Sequence, residues 1–131
     1  MLPARIEGRD LREYSPALLA YVGDAVYELY VRSHLVAGGN LRVKDAHQQA
    51  VSVVRAESQA RLLRAMATEL SEEEAAVMRR GRNAKGRHAP RGVDTSDYRL
   101  STGLEALIGY LYLKGDYQRL QVLMERALSE R

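Results

Sequence analysis

The chain has 131 residues, contains no cysteine and carries a formal net charge of +3, with 20 basic against 17 acidic side chains. A chain of this length forms one domain with a sizeable hydrophobic core, and the lack of cysteine excludes a disulfide framework, a cysteine-based zinc site and a thiol nucleophile. The first twelve residues alternate charges without an apolar segment, and no uncharged stretch approaches the roughly 20 residues of a membrane span. We therefore expect a single cytoplasmic domain over residues 1–131, without a membrane partner.

The first half of the chain predicts helices in sequence order. Ser15 followed by Pro16 is an N-cap with proline in the first turn, and apolar residues then recur at helical spacing up to Gly38. Residues 43–70 form a second long helical pattern, whose middle is weakened by Ser52 and neighbouring β-branched residues. We expect this second pattern to form one helix or two.

The second half of the chain also predicts helices. Ser71 and Glu74 make a capping box for a short helix that ends near Gly81. A further capping signal at Asp94 begins an apolar helix that runs to Gly115, and a last amphipathic helix follows. The sequence has no alternating strand pattern and no internal repeat. It therefore predicts an all-α fold of about five to seven helices.

The segment 79–93, RRGRNAKGRHAPRGV, holds the whole positive excess of the chain. It has six basic residues and no acid, whereas the remainder has fourteen basic and seventeen acidic residues. Its three glycines and one proline predict a loop, and the planar guanidinium of arginine suits phosphate groups. We interpret it as a basic loop that binds a nucleic-acid backbone; the alternative is a solvated loop without a partner. The candidate contacts are Arg79, Arg80, Arg82, Lys85, Arg87 and Arg91.

Two predicted helices each carry one acid in an apolar stretch with small neighbours. Asp24 follows Gly23 within AYVGDAVYELYV, and Glu105 precedes Gly109 by one turn within LEALIGYLYL. An interior glycine and a buried carboxylate both lower stability, so we expect other interactions to offset each of these costs. If the two helices cross, the acids converge on a divalent metal, and oxygen ligands alone favour Mg²⁺ or Mn²⁺. The alternative is that each acid satisfies a buried arginine or a backbone amide.

Several of these motifs together resemble the catalytic domain of ribonuclease III. They are YVGDAVYE at 21–28, RGRNAK at 80–85, STG at 101–103 and EALIGYLYL at 105–113. The likeness is closest to the Mini-ribonuclease III branch, which lacks a separate domain for binding double-stranded RNA, and it spans nearly the whole chain. It implies a ribonuclease III-type endonuclease domain that forms a homodimer and cuts double-stranded RNA with Mg²⁺, or with Mn²⁺ as a substitute. The cellular task that it implies is maturation of the 23S ribosomal RNA precursor.

The resemblance also assigns residues. Asp24 and Glu105 take the places of the metal-binding Asp and Glu of the two signature helices, and are therefore the expected catalytic residues. Such a site uses Mg²⁺ to polarise the scissile phosphate and to activate a water, so that no protein nucleophile is needed. Asn83 lies within RGRNAK and joins the basic residues of the segment 79–93 as an expected RNA contact.

The chain departs from the larger family at two ligand positions. Where that family has a Glu four residues before the first acid and an Asp three residues before the second, this chain has Ala20 and Thr102. The expected set of carboxylates is thus halved, which leaves open whether one or two metal ions bind. Glu28 and Asp97 lie near the two acids in sequence but match no ligand position, and whether either assists stays open.

Three other functions remain compatible with the residues. The first is a catalytically inactive helical module that binds double-stranded RNA. The second is a protein-interaction domain whose basic loop meets an acidic partner. The third is a binder of single-stranded RNA that stacks bases on some of the eight tyrosines.

Overall fold

A computed structural model describes residues 5–85 and 88–129. Its α-helices are α1 Pro16–Ala37, α2 Val43–Val54, α3 Ala56–Met66, α4 Glu72–Arg82, α5 Thr95–Lys114 and α6 Tyr117–Ser129. Short 3₁₀ helices at Leu11–Glu13 and Ala67–Glu69 precede α1 and α4. The residues described contain helices and connecting turns but no strand, which confirms the all-α prediction.

Three helices begin where side-chain caps predict. The hydroxyl of Ser15 accepts a hydrogen bond from the backbone of Leu18 at the start of α1. The capping box at the start of α4 is complete, with reciprocal bonds between Ser71 and Glu74. Asp94 accepts from the backbone amide of residue 97 at 3.0 Å and begins α5. Each cap satisfies an amide that the first helical turn leaves unpaired.

The helical pattern over residues 43–70 is two helices, and the break lies at Arg55. This residue has extended backbone angles, φ −64° and ψ 154°, so it ends α2 and begins α3. Ser52 instead lies inside α2, where its hydroxyl donates to the carbonyl of Gln49 at 2.7 Å. The predicted weak middle is therefore confirmed, since the break directly follows the β-branched Val53 and Val54.

The prediction that residues 79–93 form a loop throughout is wrong at its beginning. Helix α4 continues to Arg82, so that Arg79, Arg80 and Arg82 occupy its last turn. The helix carries three acids in its first turn and three arginines in its last, an arrangement that the helix dipole stabilises at both ends. The irregular part of the basic segment starts at Asn83.

Helix α5 lies at the centre of the core. It packs against α1, α3 and α4, and its side chains Leu104, Leu107, Ile108 and Leu111 are almost completely buried. The helix ends at Gly115, whose φ of 86° places it in the left-handed region that glycine adopts at helix ends. Of the helices described, none combines the length and the apolar character needed to cross a membrane.

Glycines let α5 approach α1 and α4 at backbone distance. A Cβ at Gly23 would lie 1.7 Å from the carbonyl oxygen of Glu105, and one at Gly109 would lie 1.9 Å from the carbonyl oxygen of Leu19. On the α4 side, a Cβ at Gly103 would lie 2.8 Å from the carbonyl oxygen of Met78. The interior glycine of α1 is thus compensated by a crossing that a larger residue would prevent.

We expect Gly109→Ala to lower the free energy of unfolding by more than about 2 kcal/mol, because the added methyl group forces two backbones apart. The matched control is Gly38→Ala at the end of α1, where the nearest atom to a Cβ is 3.5 Å away. That control should change stability by less than about 1 kcal/mol. Denaturant unfolding followed by circular dichroism measures both, and equal effects would contradict the tight crossing.

Candidate active site

The crossing of α1 and α5 joins the parts of the two helices that carry the predicted acids. Gly23 packs directly on the backbone carbonyl of Glu105, and Asp24 is the next residue along α1. The small residues around the two acids predict this close approach, and the structure bears it out. Because the contact is between backbones, it fixes the positions from which the two side chains leave their helices.

The two acids differ in burial. Asp24 is exposed and Glu105 is half-buried. The expectation that Asp24 is a buried carboxylate needing compensation is therefore wrong: a side chain at the rim of the crossing keeps its contact with water. An exposed carboxylate can contact a cation or a substrate that approaches from solvent.

Glu105, on α5, lies beside side chains from two other helices. The side-chain amide of Gln59 on α3 donates to its Oε2 over 3.4 Å. Tyr27 on α1 is buried, and its pKa is raised first by that burial and then by the negative charge of Glu105. The carboxylate of Glu105 thus accepts a hydrogen bond from α3 and influences the pKa of a tyrosine on α1.

The positions where the larger family has two further acids are filled by small, buried residues. Ala20 and Thr102 are each 2% exposed, and the hydroxyl of Thr102 donates to the carbonyl of Tyr98 at 3.1 Å. Within residues 5–85 and 88–129, no group of three or more His, Asp or Glu residues is arranged to hold a metal ion. The predicted metal site thus has two acids, Asp24 on α1 and Glu105 on α5, where the larger family has four.

The neighbouring acids Glu28 and Asp97 each have an arginine partner. Glu28 pairs with Arg32 one turn further along α1 at 2.6 Å. Asp97, in the first turn of α5, pairs with Arg64 of α3 at 2.8 Å. Each of these acids thus already has one carboxylate oxygen paired with a guanidinium.

One of the six predicted basic residues has a structural role. The guanidinium of Arg80 donates to the carbonyl oxygens of Arg12 and Tyr14, the second at 3.1 Å. These carbonyls belong to the segment just before α1, so Arg80 ties that segment to the end of α4. The charge-based interpretation could not detect this contact, because it joins residues more than sixty positions apart.

The other predicted RNA contacts lie in the last turn of α4 or follow it in sequence. Arg79, Asn83, Lys85 and Arg91 are exposed, and Arg82 is partly exposed with its Nε donating to Asn83 Oδ1 at 3.1 Å. Arg79, Arg80 and Asn83 also line a shallow pocket beside the first turn of α1. Arg87 lies outside the residues that the structure describes.

The end of α4 packs against α5 near Glu105. A Cβ at Gly103 would be 3.3 Å from the backbone nitrogen of Arg82, and Gly103 precedes Glu105 by two residues on α5. The basic segment therefore begins beside α5, the helix that carries Glu105. The arginines in the last turn of α4 thus lie beside the part of α5 that carries Glu105.

Sequence reasoning missed Gln59 and Tyr27. The signal for Gln59 was a polar residue on the otherwise apolar face of α3, beside the buried Ala60 and Leu63. Tyr27 carried no such signal, since a tyrosine on an apolar helix is most simply explained by core packing.

Comparison with known proteins gives consistent matches. The Ribonuclease III domain family matches residues 17–116. The chain is 48% identical over 112 residues to the Mini-ribonuclease 3 of Symbiobacterium thermophilum, covering 86% of each protein. It is 47% identical over 115 residues to the Mini-ribonuclease 3 of Thermoanaerobacter sp., covering 88% of this chain and 81% of the relative. An X-ray structure of a Fusobacterium nucleatum protein matches with a TM-score of 0.84 at 27% identity, over 93% of this chain and 98% of the other.

Proposed function

This chain belongs to the ribonuclease III family and is an endoribonuclease similar to Mini-ribonuclease 3, and we propose that it cleaves double-stranded RNA with Mg²⁺ at the crossing of α1 and α5. The observation that carries the proposal is the backbone contact between Gly23 and Glu105, which brings the acids of the two signature helices to one crossing. The substrate we propose is the 23S ribosomal RNA precursor, the task that the resemblance implies.

The donor set suits Mg²⁺, with Mn²⁺ as a substitute. Asp24 and Glu105 offer carboxylate oxygens, and Mg²⁺ commonly binds one or two carboxylates together with waters and substrate phosphates. An exposed and a half-buried carboxylate leave room for those further ligands. In such a site the cation supplies Lewis-acid polarisation of a phosphoryl oxygen and acidification of a water.

The residues of the chain then have separate tasks. Asp24 and Glu105 hold the cation, and the backbone contact beneath them keeps their positions constant during the reaction. Hydrolysis needs no protein nucleophile, in agreement with a chain that has no cysteine. Because A-form RNA is recognised mainly through its shape and phosphates, the exposed basic residues at the end of α4 can bind any duplex sequence.

Helix α1 supports the proposal of a homodimer. One side of it carries exposed apolar residues at helical spacing, with exposed fractions of 52% for Leu18, 77% for Tyr21, 58% for Leu29 and 70% for Val36. Exposed apolar surfaces of this kind commonly mark a protein contact. A two-fold pair of such helices would place one Asp24 on each side of the interface, which suits the approximate two-fold symmetry of an RNA duplex.

The second candidate function is a catalytically inactive module that binds double-stranded RNA. The presence of Ala20 and Thr102 where the larger family has acids favours it, because the site then has half of the expected carboxylates. Cleavage of a duplex by the purified protein distinguishes the two.

We expect Asp24→Asn and Glu105→Gln each to lower duplex cleavage at least about 100-fold, since each removes a charge that holds the cation while keeping the side-chain volume. The controls Asp45→Asn and Glu125→Gln make the same chemical changes on α2 and α6 and should keep full activity. Cleavage of long duplex RNA in Mg²⁺ is measured by gel electrophoresis. Full activity in either site variant would refute the assignment.

The basic segment should contribute phosphate contacts. Replacing Arg79, Arg82 and Lys85 together by Ala should weaken duplex binding regardless of sequence and lower the slope of log affinity against log salt by up to about three units. The control replaces Arg42, Lys44 and Arg61 by Ala, which removes the same charge from the beginning of α2 and from α3. Filter binding at several salt concentrations measures both. An equal loss of slope in the control would favour the interpretation as a solvated segment without a partner.

The dimer should depend on the apolar side of α1. Sedimentation at micromolar concentration should show twice the mass of one chain, and Leu29→Lys should convert it to monomers because a charge is placed in the interface. Val122→Lys, on an apolar residue of α6 that is 48% exposed, is the control and should remain dimeric. A monomeric wild-type protein that still cleaves RNA would be incompatible with the dimer.

A further inference from the structure

A buried glutamine touches the carboxylate that we propose as a metal ligand. Gln59 lies on α3, is 2% exposed, and faces the core together with apolar residues of its helix. A buried position on such a face needs only an apolar side chain of suitable volume. The amide group of Gln59 therefore calls for a separate explanation.

The two ends of this amide have different surroundings. Its Nε2 donates to the carbonyl of Val54 at 2.7 Å and to Oε2 of Glu105 at 3.4 Å. Its Oε1 is buried and has no hydrogen-bond partner among the described residues. The short bond to Val54 fixes the plane of the amide at the end of α2, next to the break at Arg55. The same nitrogen therefore reaches Glu105 from a fixed position.

This arrangement costs stability. A buried amide oxygen without a partner loses its hydration and gains nothing in return. Methionine has a similar length and would fill the same space without a polar atom. Positions that break a packing rule in this way are found preferentially where function requires them.

We propose that Gln59 is a positioning residue that orients the carboxylate of Glu105 for binding Mg²⁺. This inference rests on the proposed function. A glutamate side chain has several rotatable bonds, and a hydrogen bond to one of its oxygens restricts the directions in which the other can point. Gln59 makes this contact across 46 positions of sequence, from a helix that carries no proposed ligand.

The competing explanation is that Gln59 serves only the fold. In that case its task is the bond to Val54, which satisfies a carbonyl that the end of α2 leaves unpaired. Loss of this bond would then lower stability and leave metal binding unchanged. The two explanations therefore differ in what a substitution does to cation affinity.

The first test is Gln59→Met. We expect it to raise the concentration of Mg²⁺ needed for half-maximal cleavage about 10–100-fold, as loss of a residue that orients a metal ligand commonly does. It should weaken Mn²⁺ binding to the RNA-free protein by a similar factor, measured from the free Mn²⁺ signal in electron paramagnetic resonance. The melting temperature should fall by less than about 4 °C, because the lost bond to Val54 is offset by removal of the unpartnered oxygen.

The matched control is Gln121→Met. Gln121 is exposed on α6 and donates to Glu125 at 3.3 Å, so the variant removes a comparable amide-to-carboxylate bond away from the site. It should leave both metal measurements unchanged. Unchanged metal affinity and Mg²⁺ dependence in Gln59→Met would overturn the positioning role.

A second measurement uses the wild-type protein and does not depend on how a variant folds. In ¹⁵N-labelled protein, the side-chain amide signal of Gln59 should shift as Mg²⁺ is added without RNA, while the amide of Gln121 stays constant. A constant Gln59 signal at saturating Mg²⁺ would overturn the proposal.

The outcomes also separate this proposal from the proposed function. If Glu105→Gln abolishes cleavage and Gln59→Met behaves as wild type, only the role of Gln59 fails. If Glu105→Gln cleaves normally, the proposed site fails. If the wild-type protein does not cleave at all, Mn²⁺ affinity is the deciding measurement. Equally weakened Mn²⁺ binding in Glu105→Gln and Gln59→Met supports the positioning role. Unchanged Mn²⁺ binding in Gln59→Met overturns it.

Discussion

The backbone contact between α1 and α5 is the constraint on which the rest of the structure depends. Gly23 and Gly109 remove the side chains that would hold the two helices apart, so a carbonyl of each helix lies where a Cβ of the other would be. This short separation lets the flanking apolar residues form one core around α5. It also fixes where Asp24 and Glu105 leave their helices, so that the proposed cation site and the packing of the core have the same geometric origin.

A second glycine contact links the acids to the basic segment. Gly81 and Gly103 allow α4 to lie against α5 just before Glu105, and α4 ends there in its three arginines. Arg80 is used to anchor the segment before α1, which leaves Arg79 and Arg82 at the surface. The packing of α4 on α5 thus holds basic side chains in a fixed position relative to Glu105, which suits the proposed cation-dependent cleavage of a polyanion.

Features determined by neighbours in sequence could be predicted, and features determined by distant contacts could not. The caps at Ser15, Ser71 and Asp94 are local, and each begins a helix as expected. The crossing was also predictable, because small residues beside an acid on two apolar helices indicate a close approach. The bonds from Arg80 to the segment before α1 and from Gln59 to Glu105 join residues far apart in sequence. Gln59 stands out as a polar residue on the apolar face of α3, but the sequence does not identify Glu105 as its partner. The exposure of Asp24 depends on which sides of α1 the other helices cover, and the periodicity of one helix does not specify this.

The central claim is that the crossing unites Asp24 and Glu105 in one cation site. Diffraction from crystals of the protein grown with Mn²⁺, recorded near the manganese absorption edge, locates bound Mn²⁺ directly from its anomalous signal. We expect a peak within coordination distance, about 2 Å, of carboxylate oxygens from both residues. Manganese bound to only one of these carboxylates, or to neither, would contradict the claim.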